Sequence, residues 1–78
     1  MKAKVHVFLK PGVLDPQGRA IHHALEGLGF GGISAVRQGK LIELDLDETD
    51  PERARAAADA MAAKLLANPV IESWRVEI

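Results

Sequence analysis

Seventy-eight residues without a single cysteine carry ten basic and eleven acidic side chains, a net charge of -1 and 47% apolar residues. A chain this short buries only about 60 to 65% of the surface its unfolded form exposes, so residues 1–78 are expected to form one domain of marginal stability, with no disulfide or thiolate metal site to reinforce it and association with other chains as the natural supplement. Interspersed charges of both signs argue against a nucleic-acid or membrane-surface footprint, and no apolar run approaches a membrane span or a cleaved leader, so the expected location is the cytoplasm.

From Lys2 to Lys10 the chain alternates, with Ala3, Val5, Val7 and Leu9 on one side and Lys2, Lys4, His6, Phe8 and Lys10 on the other, which is the period of a two-faced strand. Pro11-Gly12 ends it. Asp15 then stands as a helix N-cap with Pro16 at the first helical position, and Ile21, Ala24, Leu25 and Leu28 follow at helical spacing. Gly29 supplies the left-handed stop, and Phe30 is placed to fold back on the last turn. Beyond Gly31-Gly32 a second strand is expected over Ile33 to Arg37, joined through a tight Gln38-Gly39 turn to a third in which Ile42, Leu44 and Leu46 alternate with Glu43, Asp45 and Asp47. Thr49-Asp50-Pro51-Glu52 repeats the helix-start signal. The helix it opens carries an alanine-rich face, Ala54, Ala57, Ala58, Met61, Ala62 and Leu65, that lets its backbone lie flat on a sheet. Asn68-Pro69 stops it, and Val70 to Ile78 alternates once more as a fourth strand.

Two successive strand-helix-strand units predict an α+β fold of ferredoxin-like βαββαβ type: a four-stranded antiparallel sheet, both helices on one face, strand order fourth, first, third, second. That order sets Lys2, Lys4 and Lys10 beside Glu43, Asp45 and Asp47 on the helix-free face. The same face is expected to expose Phe8, Val36, Leu41 and Ile71, an apolar cluster rimmed by charge, which is how an interaction surface with another copy or another protein looks.

Chemistry is sparse. His22 and His23 are adjacent on a helix and point about 100° apart, whereas a shared metal ion needs i, i+4 spacing. Gly29-Phe30-Gly31-Gly32 opens into a strand and not into a helix N-terminus, so helix termination explains it better than a phosphate cradle. Strand alternation and N-capping account for the acidic run Glu43 to Asp50, except Glu48, without a cation. No nucleophile is placed beside a base. An RNA-binding module of this topology needs stacking aromatics in a basic surround, and Phe8 stands alone outward. What remains is an interaction module, with a small-molecule regulatory module of the same topology as the other open reading.

Three strings go further: Leu14-Asp15-Pro16-Gln17-Gly18, Val36-Arg37-Gln38-Gly39-Lys40 followed by Glu43-Leu44, and Lys64-Leu65-Leu66-Ala67-Asn68-Pro69-Val70-Ile71-Glu72. In order and spacing they resemble the PurS family, the small subunit of phosphoribosylformylglycinamidine synthase. The departures, Gly31-Gly32 before the second strand and Trp74 where a smaller aromatic is common, bear on local packing. The resemblance implies membership of a complex that converts formylglycinamide ribonucleotide, glutamine and ATP to formylglycinamidine ribonucleotide, glutamate, ADP and phosphate. It implies no catalytic, metal or cofactor-binding residue in this chain, ATP and magnesium being used by the synthetase subunit. The implied partners are a second copy, the glutaminase subunit and the synthetase subunit. Asp15, Gly18, Arg37, Gly39, Lys40, Glu43, Asn68, Pro69, Val70, Ile71 and Glu72 are the motif positions expected to act through contact geometry or turn structure.

Overall fold

A computed structural model describes residues Met1–Ile78. Strand β1 (Lys2–Leu9), helix α1 (Pro16–Gly27), strand β2 (Gly39–Asp45), helix α2 (Pro51–Met61) and strand β3 (Glu72–Glu77) succeed one another, and α2 runs on through a π-helical turn, Ala62–Leu66. The fold is α+β, with β1 central and antiparallel to both neighbours in the order β2-β1-β3. Of the expected order, the arrangement of fourth, first and third strands is present. The strand expected over Ile33 to Arg37 is absent, and the sheet has three strands instead of four.

The loss has a local cause. Gln38-Gly39 is not a hairpin turn: Gly39 pairs with Phe8 as the first residue of β2, and positive φ is confined to Gly12, Gly29 and Gly32. What Gly39 provides is closeness, because a Cβ there would lie 2.6 Å from both the Phe8 ring and the Val7 carbonyl oxygen. The segment before it runs back along α1. His22 Nε2 donates to the Ile33 carbonyl at 2.8 Å, and the Val36 carbonyl sits where a Cβ on Gly18 would be 2.7 Å away. With its backbone engaged by α1, the segment from Ile33 to Arg37 makes no ladder along the edge of β2, and Val36 does not share the open face with Leu41.

Both helix starts obey their sequence signals. Asp15 accepts from the Gly18 amide at 2.9 Å and Asp50 from the Glu52 amide at 3.1 Å, each with proline in the first turn. Glu48, unassigned by alternation, accepts from the Thr49 and Asp50 amides just ahead of α2. At the end of α1, Gly29 (φ 96°) donates to Glu26 and Phe30 to Leu25, the paired bonds of a left-handed helix stop.

The core is small. Ala3, Val5 and Val7 of β1 meet Ala58 and Ala62 of α2, with Ala67 beyond it, and only valines among the larger side chains are fully buried. Alanine at 54, 58 and 62 puts a small residue at each approach of α2 to the sheet, so the helix lies flat, as expected. The π turn changes which side chains face the sheet at the end of the helix. The Ala67 amide reaches back to Ala62, five residues instead of four, and the extra residue rotates the later positions, so that Leu65 is 83% exposed while Leu66 and Ala67 turn inward. Trp74 of β3 packs on the core and donates from Nε1 to Asp59 at 2.9 Å, tying α2 to the sheet edge.

On the other face the cross-strand charges are complementary. Lys2 pairs with Asp45, and Lys4 lies between Glu43 and Glu77. His6 Nε2 lies 2.7 Å from Glu77 Oε1, and that contact holds the Glu77 carboxyl below its ordinary range.

Only α2 packs across β1 and β3, and α1 has no comparable contact with any strand. The chain measures 47 × 24 × 15 Å. An eight-residue strand spans about 26 Å and a twelve-residue helix about 18 Å, so the long dimension requires α1 and the sheet to lie nearly end to end. The expected placement of both helices on one sheet face is therefore not realised. Residues 10–38 form an arm. Its consequence is measurable: the radius of gyration is 15.7 Å against about 11.5 Å for a compact chain of this length.

With so little slack in the core, Ala58→Leu is expected to cost about 1–3 kcal/mol by overpacking. The same change at exposed Ala60 should stay within about 0.5 kcal/mol. Urea denaturation at one fixed protein concentration checks both.

Candidate functional site

The motif residues converge where the arm leaves the sheet. Asp15 divides its carboxylate between two backbone donors: Oδ1 accepts from Gly18 at the start of α1, and Oδ2 accepts from Gln38, 2.9 Å away, at the end of the returning segment. The Arg37 guanidinium donates to the Leu9 carbonyl, where β1 ends. These contacts close the arm at its base, joining its outgoing and incoming strands of chain to each other and to the sheet. Gly18 is buried in the joint, because a Cβ would lie 2.6 Å from Asp15 Oδ2.

A second lock lies on the opposite side of β1. Glu72, at the start of β3, accepts from the Asn68 amide at 2.7 Å, and Asn68 accepts from Val70 at 3.0 Å, which curls Asn68 to Glu72 into a compact turn. Lys10 holds that turn from outside: its amide donates to Ile71 at 2.8 Å and its Nζ to Pro69 at 2.7 Å. Lys40 Nζ approaches Glu72 at 3.7 Å across the end of β1. Between the two locks is an open cleft of about 390 Å³ lined by Val7, Leu9, Asp15, Gln17, Gln38, Gly39, Lys40 and Glu72.

Electrostatics and geometry agree at Asp15. The Gln38 and Gly18 amides, with the Arg37 charge nearby, hold its carboxyl below the ordinary carboxylate range against a smaller opposing effect of burial. An ionised acid satisfied on both oxygens by main-chain donors is an anchor. The arrangement ties the two ends of the arm to each other and to the end of β1.

Asp15, Gly18, Arg37, Gly39, Lys40, Asn68, Pro69, Ile71 and Glu72 thus meet at one end of the sheet, at the base of the arm. Val36 lies half-buried against α1 and not on the open face. Phe8, His6, Gly39 and Leu41 line a shallow dip on that face, and Glu43 sits further along it beside Lys4. Val70, 79% exposed, is the bare apolar tip of the second lock. Lys10 and Gln17 escaped the sequence reading as members of this region. The signal for Lys10 was present, since pairing the first and last strands brings the end of one beside the start of the other.

The whole of this architecture has counterparts. Residues 2–78 match the family model described as PurS: Phosphoribosylformylglycinamidine (FGAM) synthase. The chain belongs to the PurS family. Among its curated relatives, the phosphoribosylformylglycinamidine synthase subunit PurS of Mycobacterium leprae is 51% identical, the alignment covering 96% of this chain and 91% of that one. The crystal structure of Methanocaldococcus jannaschii PurS, one of the subunits of formylglycinamide ribonucleotide amidotransferase, superimposes with a TM-score of 0.87 at 41% identity, covering 97% of this chain and 92% of that one. A chain from the structure of PurLQS from Thermotoga maritima gives 0.87 at 31% identity over 97% and 93% of the two chains.

Because each Asp15 oxygen serves a different amide, Asp15→Asn keeps one acceptor and loses the other. The carboxyls of Asp15 and Glu77 are both lowered in the folded state. Their stabilisation is therefore complete above the ordinary carboxylate pKa of about 4 and is lost as pH falls through the lowered folded-state values. Thermal melts across this acidic range are expected to show Tm falling with pH, with Asp15→Asn lowering Tm at neutral pH and flattening the acid slope.

Proposed function

We propose that this chain is the PurS subunit of phosphoribosylformylglycinamidine synthase in purine biosynthesis, and that it dimerises and bridges the glutaminase and synthetase subunits without catalysing a step itself. The observation that carries the assignment is the match of residues 2–78 to the family, supported by the similarity to a chain solved within a PurLQS assembly.

The chemistry of the reaction supports the non-catalytic role. Releasing ammonia from glutamine in a glutaminase of this class takes a cysteine nucleophile, and the chain has no cysteine. Activating the amide oxygen of formylglycinamide ribonucleotide as a phosphate ester takes ATP and magnesium held against the substrate. The cleft at the arm base has its acids already committed, Asp15 to two amides and Glu72 to Asn68 and Lys40. We assign ATP and magnesium to the synthetase subunit and no cofactor to this chain. A bridge raises the rate by holding the two active sites so that ammonia passes between them as an intramolecular reactant, sheltered from solvent and protonation. No helix is long and apolar enough to cross a membrane, and a cytoplasmic location fits soluble substrates.

Surface area supports the homodimer. A compact chain of 8.4 kDa exposes about 4,600 Å², and this one exposes 5,627 Å². The excess of about 1,000 Å² is close to the roughly 800 Å² that each partner gives to a stable interface.

Reconstitution tests the bridge. Adding this chain to the glutaminase and synthetase subunits should restore glutamine-dependent amidine formation and leave ammonia-dependent activity of the synthetase alone much less affected. Equal stimulation of both activities, or of neither, overturns it. Sedimentation of the isolated chain at micromolar concentration should give twice the chain mass.

A further inference from the structure

The outer edge of β3 is open at its middle and closed at its ends. Main-chain bonds alternate along an antiparallel ladder, and the bond from the Lys10 amide to the Ile71 carbonyl fixes the phase: Ser73 and Arg75 bond inward to β1, while Glu72, Trp74 and Val76 turn their N–H and C=O groups away from the sheet. At one end the Glu72 amide donates to the Asn68 carbonyl at 2.7 Å. At the other the Val76 carbonyl accepts from Arg55 at 2.9 Å. Between them the Trp74 amide and carbonyl and the Val76 amide have no partner within the chain.

This open stretch lies along a groove between β3 and α2. Two clefts of about 590 and 420 Å³ share Asp59, the first running past Arg55 and Val76 to Glu52 and the second past Trp74 to Ser73. Charge in the groove is one-sided. Asp59 gives Oδ1 to the Trp74 indole, and its other oxygen has no partner in the chain. Glu52 lies seven residues earlier, on the same face of α2, and neither acid belongs to an ion pair. Arg55, between them, is held at the Val76 carbonyl.

We propose that the β3 edge receives an extended segment of an unlike subunit, paired by its main chain to Trp74 and carrying a lysine or arginine on the α2 side against Asp59 and Glu52. This rests on the bridging role proposed above and names one of its contacts. An exposed strand edge supplies the main-chain bonds of such an addition, and alternate side chains supply its specificity. The residue placed opposite Trp74 points to the same side as the indole, towards Asp59. A second copy fits poorly, because two β3 edges paired about Trp74 would set Asp59 and Glu52 of both chains against each other without a free cation between them.

Hydrogen exchange at single amides tests the edge, measured in the isolated chain and in the complex reconstituted with the glutaminase and synthetase subunits. Ser73 and Arg75 should be protected in both states, whereas Trp74 and Val76 should exchange at least about tenfold more slowly in the complex than in the isolated chain. The double variant Glu52→Gln/Asp59→Asn removes both charges and keeps an acceptor oxygen for the Trp74 indole, so its Trp74 fluorescence and Tm report an intact fold. It should raise the chain concentration giving half-maximal glutamine-dependent activity by about fivefold or more. An unchanged requirement overturns the cationic segment. Trp74 and Val76 amides left unprotected in a complex with restored activity overturn docking at this edge and leave the bridge standing. Amides already protected in the isolated chain give the edge to a second copy and also overturn it. Failure to restore activity overturns the bridge and this contact together.

Discussion

Asp15 holds the two ends of the arm together. One carboxylate oxygen caps α1 through Gly18, and the other receives the Gln38 amide just before β2 begins, so a single side chain sets both where the helix starts and where the returning chain must finish. Both donors are main-chain groups, whose positions are set by the fold and not by a rotamer, and the carboxyl is held ionised by them. Arg37 then binds this joint to the end of β1. The consequence reaches well beyond the loop: with the joint closed, the segment from Ile33 to Arg37 lies along α1 and is withdrawn from the sheet, and α1 is carried off the sheet face.

Beneath the arm is a three-stranded sheet with one helix on it, held by alanine and valine. Small side chains permit close approach but remove little apolar area from water, and the whole chain has only 8 buried residues in 78. Trp74 to Asp59 and Arg55 to the Val76 carbonyl fasten α2 at the β3 side, while nothing comparable covers β2. Stability and shape therefore point the same way: an incomplete core on one side and an apolar arm on the other.

For a subunit of a larger enzyme complex this division is useful. The arm base is rigid because its contacts are to backbone groups, and the turn at Asn68 to Glu72 is rigid for the same reason, with Lys10 gripping it twice. Rigid turns present Val70 and its neighbours to other surfaces at little entropic cost. The charged open face, in contrast, sets cations opposite acids across its strands, with His6 and Glu77 in direct contact.

Strand periods, helix caps and breakers are local, and they were legible: β1, the third expected strand, both N-caps, the Gly29 stop and the inward alanines of α2 all stand where alternation, Asp-Pro pairs and 3.6-residue spacing put them. The cross-strand pairing of Lys2 and Lys4 with Asp45 and Glu43 came from topology alone. Whether Gln38-Gly39 would close a hairpin was not local. A glycine offers both a left-handed φ and a surface without a Cβ, and which property is used depends on what arrives from elsewhere, here the Phe8 ring and the second oxygen of Asp15. The same holds for the π turn that turns Leu65 outward, and for α1, whose apolar stripe specifies that it must be covered but not by which molecule. Sequence period determines the faces of the elements; tertiary structure decided which faces meet, because that choice rests on hydrogen bonds between residues far apart in the chain.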